Sequence, residues 1–386
     1  MDRCLFLALV LAVIVAGCRA SYGGQRTTVI ESAQPASPTA AALATAAPDT
    51  VSFATPSPSP VQRVPTTVTN PSAPAGQVTP EGTASSPPRP FVAASCCGLF
   101  SWAAPDWLLV YDRVPQAGAW LVNVVSGERR WLGAWFGVAT GDRVALVDPE
   151  RGVTTILDWD GQVLGEVETG RTLAVLSPDG RFLAWLQMNE ERLPSSFLAR
   201  IGTLVVLDAT TQRSYRLGEM RVTSLTWTGD SQRLLVLGES TDGRRAGVWV
   251  AEPPWTALRQ ILSGRFFVNL RVVPKSSSFL VTRVLSGVPN EDGVWLVDAA
   301  TEHAQHVPIA PGYRASAGTI WVLDNEGAAR RLRAYRLETL HLCAATDLAE
   351  PVLADTWEVS PDGHWVAYWA ALSQKVQVVQ LPACSD

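Results

Sequence analysis

The chain has 386 residues and a net charge of −5. It is 47% hydrophobic and only 17% charged. That length supports a sizeable core in one or two domains. The acidic balance argues against nucleic acid, and pairs such as Arg129-Arg130, Arg244-Arg245 and Arg330-Arg331 are scattered rather than striped.

The first element is an apolar run from Cys4 to Ala16, preceded by Met1-Asp2-Arg3 and closed by Val15-Ala16-Gly17-Cys18. A charged start, a short apolar stretch and small residues at a cut site make an export signal. The run falls short of the ~20 apolar residues a bilayer span needs. Cys directly after Ala-Gly resembles a bacterial lipoprotein signal. The resemblance implies cleavage after residue 17, lipidation of Cys18 and a chain held at a membrane through that lipid, on its extracytoplasmic face.

Residues 18–88 change character. Segments such as Pro56-Ser57-Pro58-Ser59-Pro60 carry no apolar periodicity, and charges are sparse. Such a stretch cannot bury enough apolar surface to offset its ordering entropy, so a disordered tether is expected. About 70 residues of flexible coil would reach ~45 Å.

The folded part is expected over 89–386, because all fifteen Trp lie from Trp102 onward. Its clearest unit is Ser177-Pro178-Asp179-Gly180 followed by Arg181-Phe182-Leu183-Ala184-Trp185, which returns as Ser360-Pro361-Asp362-Gly363 before His364-Trp365-Val366. Pro, Asp and Gly suit successive positions of a tight turn, so each unit reads as a hairpin. Looser copies stand at Asp106, Asp142 and Asp230. Lys275 occupies the fifth position and Ser316-Ala317-Gly318 the sixth. A second hairpin recurs at Asp208, Asp298 and Asn123. Two hairpins per unit of roughly 40 residues is the signature of an all-β propeller. Seven four-stranded blades fit best, with six or eight as alternatives. The last unit lacks an outer strand, and residues 90–94 could supply it, which would splice both ends of the domain into one blade.

These units resemble the WD-like repeats of TolB-type propellers and of the propeller domain in prolyl oligopeptidases. The resemblance is specific at Ser177–Gly180 and Ser360–Gly363 and weaker at Thr228–Ser231. The extra α/β domain of TolB is not matched, so its partners do not carry over.

With Cys4 removed and Cys18 lipidated, Cys96, Cys97, Cys343 and Cys384 remain as disulfide candidates, with three possible connectivities. Cys96 and Cys97 sit at the start of the domain and Cys384 at its end. One bond from this pair to Cys384, and one to Cys343, would lock the closing blade. A redox role is disfavoured, because no C-x-x-C is present.

His303 and His306, with Asp298 and Glu302 nearby, form the one close His pair, and a solvated turn explains them better than a metal does. No G-x-S-x-G elbow and no phosphate-binding loop are present. No catalytic residue, metal or cofactor is expected. Most Trp, including Trp185, Trp227, Trp249 and Trp295, should wedge between blades. Trp131, Trp135, Trp159 and Trp255 fall nearer turns and are candidates for an exposed binding surface. The expected function is a non-catalytic binding or scaffold module for an envelope protein or glycan. The alternative is a lyase- or hydrolase-type enzyme with its site at the channel mouth.

Overall fold

A computed structural model describes residues 90–170, 172, 174–188, 200–288, 290–324 and 330–384. The expected signal, Cys18 and the tether lie outside these residues. Every strand pairing is antiparallel.

The first strand, β1 (Phe91–Ala94), is followed by a four-stranded blade of β2 (Phe100–Ala104), β3 (Trp107–Asp112), β4 (Gly118–Asn123) and β5 (Arg129–Gly133). The second blade is β6 (Gly137–Thr140), β7 (Arg143–Asp148), β8 (Val153–Asp158) and β9 (Val163–Glu168). A seven-stranded sheet follows. It runs β10 (Val175–Leu176), β11 (Phe182–Met188), β12 (Arg200–Asp208), β13 (Arg213–Trp227), β14 (Leu234–Ser240), β15 (Ala246–Ala251) and β16 (Arg259–Ser263). The fifth blade is β17 (Phe267–Val272), β18 (Ser278–Arg283), β19 (Gly293–Asp298) and β20 (Ala304–Val307). The sixth is β21 (Tyr313–Ser316), β22 (Thr319–Asp324), β23 (Arg331–Arg336) and β24 (Leu342–Asp347). The last is β25 (Val352–Val359), β26 (Trp365–Ala370) and β27 (Val376–Gln380), completed by β1 along β27. The two ends of the domain therefore share one sheet.

The seven-stranded sheet is two blades joined through β13. Arg213–Val222 pair with β12, Met220–Trp227 pair with β14, and Met220–Val222 serve both. Among the described residues the ring counts six sheets. Counted by innermost strands it has seven, because β2, β6, β10, the second half of β13, β17, β21 and β25 touch in that order and β25 returns to β2.

The core has the same sevenfold arrangement. Seven apolar layers lie between neighbouring blades. The second strand of each blade has both faces buried, so its apolar residues run continuously rather than alternating with polar ones. In β14, Leu234 and Val236 face the preceding blade while Leu235 and Leu237 face the following one. In β3, Leu108 and Val110 pack toward the closing blade and Leu109 toward the second.

The turn chemistry is local and repeats. Ser177, Thr228 and Ser360 hydroxyls donate to Asp179, Asp230 and Asp362, and accept from the amides of Phe182, Arg233 and Trp365. Asp208, Asp298 and Asn123 accept from the amides two and three residues on, which builds the second hairpin. Neighbouring turns also bond to one another. The Asp179 amide donates to Ser231 Oγ, the Asp230 amide to the Ser276 carbonyl, and the Ala317 amide to the Pro361 carbonyl. Trp365 Nε1 donates to Asp106 and links the last blade's turn to the first's. One end of the ring is thus laced turn to turn.

Both disulfides differ from the expected bridges. Cys96 is bonded to Cys97, and Cys343 to Cys384. Strand direction explains this. β1 runs antiparallel to β27, with Ala94 opposite Val376 at the start of β27. Cys96 and Cys97 therefore leave at one end of that pair, and Cys384 follows β27 at the other.

Candidate functional site

Inner strands start at the end opposite the laced turns. That open end carries Val114, Phe266, Leu285, Val288 and Leu372, all exposed; Leu285 is 76% and Leu372 73% accessible. The laced end shows Val125 in a turn, Val163 and Leu164 at the foot of β9 and Leu342 at the foot of β24. Phe266 and Leu285 take left-handed backbone, at φ 64° and 55°, where bulky side chains are disfavoured. Their surroundings hold them there. The Val284 amide donates to the Phe266 carbonyl, and the Ser286 amide donates to Asp292. The bonds from Ser286 hold the Asp292 carboxyl below its ordinary value.

Along the inner strands, three neighbours carry a charged network that sequence reading missed, with Arg271 and Glu358 toward the laced ends of β17 and β25. Strands β17 and β25 both slip register, with left-handed Asn269 in one and left-handed Ala354 and Asp355 in the other. Such a bulge frees carbonyls from the ladder. Arg314 on β21, only 3% exposed, takes them up. Its Nε donates to the Trp357 carbonyl at 2.7 Å and its Nη2 to the Asp355 carbonyl at 3.0 Å. Nη1 donates to the Tyr313 carbonyl at 2.8 Å. The guanidinium lies 4.7 Å from the Trp357 ring centre.

Glu358 is shared. It lies 3.2 Å from Arg314 and 3.5 Å from Arg271. Asp355 is anchored by Trp357 Nε1 at 2.8 Å. Tyr313 donates to the Asn269 carbonyl at 2.7 Å, and Asn269 donates to the Pro311 carbonyl at 2.6 Å. Burial pulls the Arg314 guanidinium below its ordinary value against the pull of Glu358, and pushes the Tyr313 phenol up. The two guanidiniums balance the two carboxylates, so the wall is polar and fixed but carries no net charge. Its sequence signal was two Arg and two acids inside otherwise apolar inner strands.

The predicted site residues do not come together. Trp131 on β5 is 41% exposed and donates to the Ala117 carbonyl. Trp135 is half-buried in the β5–β6 connection. Trp159 is half-buried 5.5 Å from Trp107, over which Arg130 is placed at 5.0 Å. Trp255 is only 4% exposed, which corrects the expectation for it. The Pro253-Pro254 turn folds it back onto Phe182 and Trp227, at 5.1 and 5.6 Å. His306 packs edge-on against Trp295 at 5.3 Å, while His303 stands in the β19–β20 turn.

No protein-family model matches the chain, and no curated protein matches it. Solved structures do. An oligogalacturonate lyase in complex with manganese superposes with TM-score 0.55 at 14% identity, over 72% of this chain and 86% of that one. A chain of the mitotic checkpoint complex gives 0.51 at 12% identity, over 81% of this chain and all (100%) of that one. TolB from Acinetobacter baumannii gives 0.38 at 14% identity, over 74% and 78%, and nothing is taken from it. At these identities the likeness is one of fold. This chain is a β-propeller.

Proposed function

We propose that the chain is a lipid-anchored, extracytoplasmic β-propeller that binds an envelope protein through the open end of its ring and catalyses no reaction. The observation that carries this reading is the difference between the two ends. One has its turns bonded to neighbouring turns, while the other presents Phe266, Leu285, Val288, Leu372 and Val114 on its loops. Apolar side chains held out on a rigid frame are the usual core of a protein–protein contact. The anchor rests on Val15–Cys18 and the resemblance they carry. A glycan reading rests on Trp131, the aromatic of the four predicted ones that stays exposed.

The test uses the full-length chain in its native membrane, cross-linked and captured. Joint Phe266→Asp and Leu285→Asp substitution should remove the captured partner, while Val125→Asp at the laced end should leave it. Capture lost with Val125→Asp alone would contradict the reading. Loss on Trp131→Ala alone would favour the glycan.

A further inference from the structure

We propose that Cys96 and Cys97 form a thiol–disulfide exchange site whose substrate is the dithiol of another protein. The inference does not depend on what the open end binds.

The two disulfides do different work. The Cys343–Cys384 bond spans 41 residues of sequence and ties β24 to the tail beyond β27. Cross-linking distant residues removes freedom from the unfolded chain. The Cys96–Cys97 bond has a sequence separation of 1, so it removes almost none. It does not act as a staple for the fold.

The bond also sits in disfavoured backbone. Cys97 has φ 79° and Gly98 φ 60°, two consecutive left-handed residues. Glycine adopts that conformation freely, whereas a residue with a Cβ does so at a cost. The loop is clamped on both sides of the cysteines. Ser95 Oγ donates to Asp112 at 2.6 Å, Asp112 pairs with Arg129 at 2.8 Å, and the Leu99 carbonyl accepts from the Tyr111 amide at 2.9 Å. Gly98 lies flat on the Trp369 ring with no room for a side chain. Both cysteines are half-buried, not sealed, in the β1–β2 connection at the open end. Exchange needs an approachable sulfur, and local structure can bias which redox state is preferred.

The chemistry balances with a dithiol donor. A donor thiolate attacks the sulfur of one cysteine, the bond between Cys96 and Cys97 breaks, and the other cysteine leaves as a thiolate. The second donor thiol then attacks the mixed disulfide. The donor ends as a disulfide, and Cys96 and Cys97 end as thiols. Two electrons pass to this chain, and the donor's two protons end on the released sulfurs. The reverse sequence oxidises the pair. Reduction frees Cys97 and Gly98 from the ring and shifts the backbone lying on Trp369.

The experiment is a redox titration of the unmodified full-length protein in dithiothreitol buffers of graded poise. Each bond is followed by alkylation and mass spectrometry, and Trp369 by fluorescence against Trp369→Phe. The expected result is that the Cys96–Cys97 bond opens at least tenfold earlier in reductant ratio than Cys343–Cys384. A fluorescence change absent from Trp369→Phe should accompany it. A thioredoxin whose second active-site cysteine is replaced by serine should also be trapped as a mixed disulfide on Cys96 or Cys97 of the unmodified protein, the other cysteine leaving as a thiolate. Both bonds opening together, a Cys96–Cys97 bond absent from the isolated protein, or no change at Trp369 would each overturn the proposal.

Discussion

Arg314 shows how a single side chain fixes three strands. It satisfies the carbonyls of Tyr313, Asp355 and Trp357 and shares Glu358 with Arg271. Arg314→Met would leave those carbonyls without donors and Glu358 short of a partner. Breaking a fully buried pair costs about 3–5 kcal/mol; Glu358 is a third exposed, so a smaller loss of about 2 kcal/mol is expected here. Urea denaturation of the full chain should show a loss of that order. Arg314→Lys should not rescue it, because one ammonium cannot reproduce the planar fork. A loss well under ~1 kcal/mol would mean that the bulge in β25 needs no support.

Asp112 ties the β1–β2 connection to β5 through Ser95 and Arg129. Burial alone would raise its carboxyl, but hydrogen bonds from Ser95, Arg129 and the Arg113 amide outweigh burial and hold it below its ordinary value of 3.8. A carboxyl depressed in the folded state contributes stability above its unfolded value. That contribution is lost as pH falls through the lower folded value. The melting temperature of the wild-type chain should therefore fall more steeply below about pH 4 than that of Asp112→Asn. Parallel curves for the two chains would show that the Ser95–Asp112–Arg129 link contributes nothing to the acid limb.

At the scale of elements, the closing blade depends on pieces from both ends of the domain. β1 supplies its outer strand, and the Cys343–Cys384 bond ties the tail to β24. Replacing both Cys343 and Cys384 by Ser should lower stability by about 4 kcal/mol, from the chain freedom a 41-residue separation restores. The same change at Cys96 and Cys97 should cost far less. Equal losses in chemical denaturation would contradict this division.

What could be read from sequence follows from how local its cause is. The Ser177–Gly180 and Ser360–Gly363 turns bond within themselves, so four residues announce them. The β1–β27 pairing was legible because a ring needs a missing outer strand to come from somewhere. The disulfide pairing was not, because it depends on which way β1 runs along β27. The sharing of β13 showed only as an overlong step between Asp179 and Asp230, since pairing on both edges is set by tertiary contact. Trp255 looked exposed because it sits in a turn, but that turn folds inward. The Arg314 network was hidden because bulges reassign which residues face one another.

At the scale of the whole molecule, the ring gives an expected binding module a direction. Seven apolar layers and the laced turns make the frame, and the loops of the open end are left to make contact. The lipid reading predicts that Cys18→Ser moves the protein from the detergent phase to the aqueous phase on phase separation. Unchanged partition would leave the chain anchored by some other means. The most direct test of binding through the open end is photo-crosslinking in the native membrane, with a photoreactive residue at Leu285 or at Val125 of the full-length chain. A discrete adduct with a second protein is expected from Leu285 and none from Val125. Adducts from Val125 and none from Leu285, or equal labelling from both, would contradict it.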